Sequence, residues 1–186
     1  LLPSGRNFFG LDPRVLPTKA AWELGKRLGN QVIEQYIADE GKYPENIGMV
    51  FWSGSNMRSH GQCIAEFLYF MGIKPVWEKG SLQVKRLEVI PLSELMRPRI
   101  DVTARISGLF RDTMPTVVEL LDKAVLLAAD LNELEDDNYI KKHISEESSL
   151  MEKSGMTHEE SWRNAAYRIF GDAPGTYGAG VSALLE

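Results

Sequence analysis

The chain has 186 residues, of which 44% are hydrophobic and 9% aromatic, and its formal net charge is −5 at pH 7. These values predict one globular α/β unit, and the acidic balance gives no general reason to expect a nucleic-acid partner. No apolar run reaches the roughly 18 residues of a membrane span and no signal peptide is visible, so we expect a cytoplasmic protein. The single cysteine, Cys63, excludes an intramolecular disulfide, and its apolar neighbours indicate a small buried side chain.

Residues 1–46 predict an irregular N-terminal loop followed by a long scaffold helix. Thr18 is the expected N-cap, apolar residues recur at helical spacing until about Asp39, and Gly41 is the expected C-terminal stop. The sequence starts without methionine and ends within an apparently helical segment. We therefore expect a fragment of a longer protein with an incomplete active site.

Residues 47–130 predict an α/β core. The continuous apolar run at 47–52 is typical of a strand buried on both faces. Small and polar residues at 53–61 then indicate a glycine-containing loop, and a helix over about 61–71 follows. Ligands of open α/β sheets bind beyond the carboxyl ends of the strands, so residues 53–61 are the first candidate for a functional segment.

A β-hairpin and a second core strand come next. Residues 74–77 and 84–90 predict antiparallel strands, and residues 100–106 alternate between an apolar and a polar face. Asp101 and Arg105 share the polar face, where either the two form an ion pair or Arg105 reaches a ligand. The predicted fold is an open, mostly parallel sheet with a β-hairpin, flanking helices and a helical C-terminal extension.

Residues 131–186 form the predicted extension. Its acidic start, residues 133–137, is expected to be a solvated linker or the beginning of a helix. The helix predicted over 139–153 is weakly amphipathic, so we expect it to project or to pack on parts outside the chain. A capping box at Thr157 predicts a further helix that continues through Ile169.

Three segments are candidates for a ligand site: residues 53–61, residues 107–112 and the glycine-rich residues 171–180. The first two follow strands predicted to be parallel, so both should lie at one sheet edge, each before a helix whose N-terminus favours anions. Arg58 and Arg111 add fork-shaped donors suited to carboxylates. Either these segments bind a polyanionic ligand, or they only close βα turns and the arginines are merely solvated.

Several chemistries lack their sequence signatures. Residues 175–180 do not end in the Gly-Lys-Ser/Thr of a P-loop, no dinucleotide fingerprint or Gly-x-Ser-x-Gly elbow is present, and the histidines have no metal-ligand spacing. His143 and His158 are expected on exposed helix faces. His60 lies in the first candidate segment, where it could ligate a metal, carry a proton or hydrogen-bond the loop.

Eight short motifs, none decisive alone, are specific through their order and spacing. They lie at residues 3–7, 12–18, 41–45, 56–58, 72–76, 97–102, 107–112 and 170–180. Together they resemble the large, tetrapyrrole-binding subunit of the class I metal chelatases, the family of the aerobic cobaltochelatase large subunit and the magnesium chelatase H subunit.

The resemblance implies a function. The large subunit of this family holds a tetrapyrrole and inserts a divalent metal ion as substrate, either Co²⁺ or Mg²⁺. An AAA+ ATPase subunit and its companion subunit hydrolyse the ATP, and no resident cofactor is implied. Carboxylates around the ring would suit the arginine-bearing segments. Catalytic residues stay unassigned, and ligand contacts are expected from Asn7, Asn56, Arg58, His60, Ser107, Arg111 and Tyr177.

The chain departs from the family pattern in the first candidate segment. The family commonly has Gly-Thr-Asp-Asn and a later glutamate there, whereas Ser55 and Gln62 leave this segment without those two carboxylates. We therefore expect it to bind or shape rather than to move protons. The glycine-rich ending and the start at Arg6 and Asn7 resemble the cobaltochelatase side of the family, which implies cobalt insertion into a hydrogenobyrinate diamide. The alternatives are magnesium insertion into protoporphyrin IX and a non-catalytic scaffold that docks the ATPase subunits.

Overall fold

The computed structural model describes residues 12–177. Asn7 and the helix predicted at the C-terminal end lie outside the described residues. No described helix is both long enough and apolar enough to cross a membrane. The elements in chain order are α1 (Lys19–Glu40), β1 (Asn46–Phe51), α2 (Ser53–Arg58), α3 (Gln62–Phe70), β2 (Ile73–Trp77), β3 (Val84–Val89), α4 (Leu92–Leu95), β4 (Asp101–Ile106), α5 (Gly108–Thr113), α6 (Pro115–Ala129), α7 (Tyr139–Lys153), α8 (His158–Ala165) and β5 (Ile169–Gly171).

Helix α3 packs on strands β1 and β4 of the main sheet, and the long helix α1 packs on α3. As predicted, Thr18 caps α1, because its hydroxyl accepts a hydrogen bond from the Ala21 amide at 3.3 Å. The helix ends at Gly41, whose φ of 72° is readily adopted only by glycine. Helix α1 packs on α3, where Cys63 lies partly buried against the core. Burial raises the pKa of the Cys63 thiol, which agrees with its interpretation as a packing residue.

The main sheet has three strands in the order β1-β4-β5, and both pairs are parallel. The predicted alternation of β4 is confirmed, since Val102, Ala104 and Ile106 point into the core. Burial of β1 on both faces was a wrong prediction, because Val50 is 59% exposed. The apolar run did not reveal that, within residues 12–177, the second face of this strand remains uncovered.

The predicted hairpin is confirmed as a separate antiparallel sheet of β2 and β3. Arg99, which is 0% exposed, anchors it by donating hydrogen bonds to the carbonyls of Gly72 and Ile90 at 2.9 and 2.8 Å. The same guanidinium contacts both carboxylate oxygens of Glu133 at 2.7 and 2.9 Å. Glu133 is therefore the partner of a buried arginine, and the prediction of a wholly solvated acidic linker was wrong for this residue.

The C-terminal helices pack on the core rather than projecting from it. Ile140 and Ile144 of α7 are fully buried, which corrects the prediction of a projecting helix. The capping box at Thr157 is confirmed. Helix α8 ends at Ala165, however, and Ile169 begins the short strand β5. Apolar residues around that strand happen to recur at helical spacing, so the sequence pattern predicted too long a helix.

Buried charges join the amino edge of the sheet to α7. Asp101 is 1% exposed and accepts hydrogen bonds from Arg168 Nε at 2.9 and 3.1 Å. His143 Nδ1 lies 2.9 Å from the same carboxylate, and this contact raises the pKa of His143. The predicted exposure of His143 was therefore wrong. So was the possible pairing of Asp101 with Arg105, because Asp101 pairs with a residue remote in sequence.

Candidate functional site at the carboxyl edge of the parallel sheet

The three candidate segments follow three neighbouring parallel strands. Phe51 pairs in register with Ile106, and Ile106 pairs with Gly171. The Ser107 amide donates a hydrogen bond to the Phe51 carbonyl at 3.0 Å, directly beyond the strand ends. The prediction that residues 53–61 and 107–112 lie at the same sheet edge is confirmed, and the segment after β5 joins them there.

Short helices occupy most of the two segments that were predicted as loops. Helix α2 starts immediately after β1, and α5 starts immediately after β4. Ser107 caps α5 by accepting a hydrogen bond from the Phe110 amide at 3.2 Å. Ser53 and Thr113 link the two helices through a hydroxyl contact of 2.9 Å. The small and polar composition suggested irregular backbone because such short helices carry too few residues to show a helical period.

An aromatic cluster holds α5 on the sheet. Phe51 and Phe110 are both 0% exposed, and their ring centroids lie 5.5 Å apart in an edge-to-face arrangement. Phe67 of α3 approaches Phe51 in the same way, at 6.0 Å. Packed aromatic pairs of this kind add about 0.5–1.5 kcal/mol each beyond the burial of their area. The edge therefore rests on a well-packed support.

Arg111 ties α5 to the segment after β5. Its Nη1 donates hydrogen bonds to the carbonyls of Asp172 and Ala173 at 2.7 and 2.6 Å. Its Nε and Nη2 contact the two oxygens of Asp112 at 2.7 and 3.0 Å. The Tyr177 hydroxyl donates to the same carboxylate at 2.5 Å. Arg111 and Tyr177 thus lie together, as predicted from their segments, although their present partners belong to the chain itself.

These contacts shift three pKa values. The hydrogen bonds from Arg111 and Tyr177 lower the pKa of Asp112, which therefore stays ionised. The contact with Asp112 raises the pKa of Tyr177, because the neighbouring carboxylate disfavours a phenolate. The same carboxylate raises the pKa of Arg111. At neutral pH the group consists of a cation, an anion and a neutral phenol.

Gly108 allows the close approach of the segment after β5. A Cβ atom at this position would lie 2.3 Å from the Thr176 carbonyl oxygen and 3.1 Å from the Tyr177 ring. Backbone contacts this short exclude any side chain unless the segment moves. Close packing against the segment after β5 therefore requires glycine at this position, which is also the first residue of α5.

The remaining predicted residues differ in their accessibility. Arg58 and His60 are exposed at the edge, and His60 has a φ of 55°. Asn56 is 0% exposed, and its amide donates a hydrogen bond to the Trp52 carbonyl at 3.1 Å. The structure places Asn56 beneath the edge rather than on its surface. Gln62 begins α3 and donates a hydrogen bond to Glu66 at 2.9 Å.

The sequence did not predict the ion pair between Arg105 and Asp172 at this edge. Arg105 Nη2 lies 2.5 Å from Asp172 Oδ1, which joins β4 to the segment after β5. Their separation of 67 residues left no local signal, and only recognition of the short strand β5 would have brought them together. Within residues 12–177, no group of three or more His, Cys, Asp or Glu side chains is arranged to hold a metal ion.

A family model described as CobN/Magnesium Chelatase matches residues 1–186. The chain belongs to this family. It is 44% identical over 186 residues to the aerobic cobaltochelatase subunit CobN of Sinorhizobium sp, a match that covers 100% of this chain and 14% of that protein. It is 38% identical over 187 residues to the chloroplastic magnesium-chelatase subunit ChlH of Oryza sativa subsp. indica, covering 100% of this chain and 13% of that protein.

A solved structure of the catalytic subunit of cobaltochelatase from Mycobacterium tuberculosis shows the same fold. It aligns with a TM-score of 0.88 at 44% sequence identity and covers 98% of this chain and 15% of that chain. The chain therefore spans about one seventh of the length of the CobN relative, of which 14% is covered. Relatives named for cobalt and relatives named for magnesium both match along the whole chain, so membership of the family leaves the metal ion open.

Proposed function

We propose that this chain is part of the tetrapyrrole-binding large subunit of an ATP-dependent cytoplasmic cobaltochelatase, which inserts Co²⁺ into hydrogenobyrinate a,c-diamide during cobalamin biosynthesis. The single observation that carries the site is the convergence of three segments at one sheet edge, where Arg58, Arg111 and Tyr177 lie. The identity of 44% to a cobaltochelatase subunit against 38% to a magnesium-chelatase subunit supports the choice of cobalt.

The two arginines have different parts in this proposal. Arg58 is exposed and can present its guanidinium to a carboxylate of the ring. Arg111 already donates to Asp112 and to two backbone carbonyls, so we assign it the positioning of the segment after β5. Ser107 holds α5 in place as its N-cap, and Tyr177 offers a neutral hydroxyl beside Asp112.

Metal insertion also requires the pyrrole nitrogens to lose protons, which calls for a base near the ring. His60 brings an exposed imidazole to the edge, whereas Ser55 and Gln62 supply no carboxylate there. We assign no catalytic base among the described residues. ATP hydrolysis belongs, in this proposal, to an AAA+ partner subunit and its companion, which agrees with the lack of a P-loop in this sequence.

The alternative to a chelatase function was a non-catalytic scaffold that only docks the ATPase subunits. Its support was a weakly amphipathic α7 free to contact a partner. Ile140 and Ile144 of α7 are instead fully buried within this chain, so that support is removed. Magnesium insertion into protoporphyrin IX remains the second candidate, because the relative named for magnesium also matches the whole chain.

Fluorescence-quenching titrations of the full-length large subunit test the proposal. Hydrogenobyrinate a,c-diamide should bind more tightly than protoporphyrin IX, and Arg58→Gln should weaken binding about tenfold through loss of a charge-assisted hydrogen bond. Arg27→Gln is the matched control, since Arg27 is also exposed but lies on α1. Preference for protoporphyrin IX would select magnesium chelatase, and unchanged affinity of Arg58→Gln would remove Arg58 from the site.

A further inference from the structure

Parallel sheets are normally covered on both faces. Within residues 12–177, one face is uncovered over its carboxyl half, whereas its amino end is covered at Asp101, which His143 of α7 contacts. Helices α3 and α6 pack on the opposite face. The residues that alternate away from the core form what we call the open sheet face, and they line a depression of about 440 Å³ that continues to the carboxyl edge. The open sheet face consists of Gly48, Val50, Trp52, Thr103, Arg105 and Phe170.

The register explains how these side chains come together. Val50 pairs with Arg105, and Arg105 pairs with Phe170, so the three form one row across all strands of the sheet. Val50 is 59% exposed and Phe170 is 50% exposed, and the Arg105 side chain between them is 43% exposed. Trp52, 49% exposed, extends the same face toward the edge. A cation thus lies in the middle of exposed apolar surface.

Gly48 leaves one position of this depression without a side chain. A Cβ atom built on Gly48 would meet no heavy atom within 4 Å, so the glycine leaves open space beside Thr103. Within residues 12–177, Arg105 donates only through Nη2, to Asp172. Its Nε and Nη1 can therefore donate hydrogen bonds to another acceptor. Open space at Gly48, exposed apolar side chains and a partly used guanidinium fit a planar apolar ring with carboxylates on its rim.

We propose that the open sheet face receives the ring of the tetrapyrrole, and that Arg105 binds one of its peripheral carboxylates. This inference rests on the proposed function and locates the ring at a surface that the edge residues only border. The remaining donors of Arg105 favour an occupant with carboxylates over an apolar polypeptide segment. An apolar helix laid on the same face would bury the remaining Arg105 donors without acceptors, which is unfavourable.

A double-mutant-type cycle tests the role of Arg105 in the full-length large subunit, by removing the charge of Arg105 and the charge of the ligand separately and together. The ligands are hydrogenobyrinate a,c-diamide and protoporphyrin IX, each as the free acid and as the methyl ester of its free carboxyls. For the ring that binds the unsubstituted subunit, Arg105→Gln should weaken binding of the free acid about tenfold and leave binding of the ester unchanged. The control Arg27→Gln should change neither.

The outcomes separate the two proposals. Equal affinity of Arg105→Gln and the unsubstituted subunit for the free acid would overturn this inference while the proposed function stands. Equal loss for acid and ester would also overturn it, because Arg105 would then act through the fold. Binding of neither ring to the unsubstituted subunit would overturn the proposed function and this inference together.

Hydroxyl-radical footprinting checks the occupant. In the ligand-free subunit Trp52 and Phe170 should be oxidised readily, and the bound ring should protect both. Tyr36, which is 37% exposed on α1, serves as a control whose oxidation should not change. Protection of Trp52 and Phe170 without ligand would mean that another polypeptide segment covers the face, which would overturn the inference.

Discussion

The two edges of the parallel sheet are built from the same strands but differ in their use of charge. At the amino edge, Asp101 is 1% exposed and is closed off by Arg168 and His143. At the carboxyl edge, roughly 16 Å away along β4, Arg58 is exposed and Arg105 is 43% exposed among apolar side chains. Charges that are paired and buried support the fold, whereas exposed cations beside apolar surface remain available to a ligand.

The largest effect should follow from breaking the amino edge. Asp101→Ala leaves the buried guanidinium of Arg168 without its carboxylate, so it should lower the free energy of unfolding by about 3–5 kcal/mol. Urea titration of the chain measures this difference. Asp122→Ala is the matched control, because its pair with Arg163 also engages both carboxylate oxygens, but the side chains of Arg163 and Asp122 are 39% and 27% exposed. That control should lose no more than about 1 kcal/mol, and equal losses would contradict the contrast.

An intermediate effect is expected from Gly108→Ala at the carboxyl edge. The new Cβ would lie 2.3 Å from the Thr176 carbonyl oxygen, so the segment after β5 must shift, at about 1–3 kcal/mol. Urea titration gives the stability, and the tetrapyrrole titration should show weaker binding because Tyr177 moves with the segment. Gly48→Ala, which meets no atom within 4 Å, should leave stability unchanged. A Gly108→Ala chain as stable as the unsubstituted one would argue against the close approach.

A smaller effect, dependent on pH, is expected from His143→Gln. Asp101 raises the pKa of His143 above its ordinary 6.5, so the folded chain holds this proton more tightly than the unfolded chain. The resulting stability is complete below about pH 6.5 and is lost as the pH rises through the folded-state pKa. The stability difference from His143→Gln should therefore be near 1 kcal/mol at pH 5.5 and shrink toward pH 8.5.

The control for this prediction is His158→Gln, because the His158 side chain is 81% exposed. Its effect should stay within about 0.5 kcal/mol at every pH. The groups that face His143 are Asp101, Glu45 and Arg168, together with Glu146 on its own helix. A difference for His143→Gln that does not vary with pH would show that its proton is not linked to folding.

The sequence predicted the regular parts of this structure well. Helix α1, with its caps at Thr18 and Gly41, follows from periodicity and end signals, and the common edge of β1 and β4 follows from the parallel topology. Local patterns carry this information, because a cap or an alternating strand depends on neighbouring residues.

The features that the sequence did not predict depend on tertiary contacts. Helices α2 and α5 and strand β5 are too short to show a period, so they were predicted as loop or as helix. The pairing of Arg105 with Asp172, and of Asp101 with Arg168, joins residues 67 positions apart. Without β5, neither pair could be foreseen, and β1 gave no sign of which face the rest of the chain would leave open.

Hydrogen–deuterium exchange of the full-length large subunit, with and without hydrogenobyrinate a,c-diamide, tests most directly whether the carboxyl edge is the ligand-binding edge. Amides of α2 and α5 should gain protection when the ring binds, because these helices border it. Amides around Asp101 and at the start of α7 should exchange at unchanged rates. Protection that appears only at the amino edge, or at neither edge despite saturating ligand, would contradict the division between the two edges.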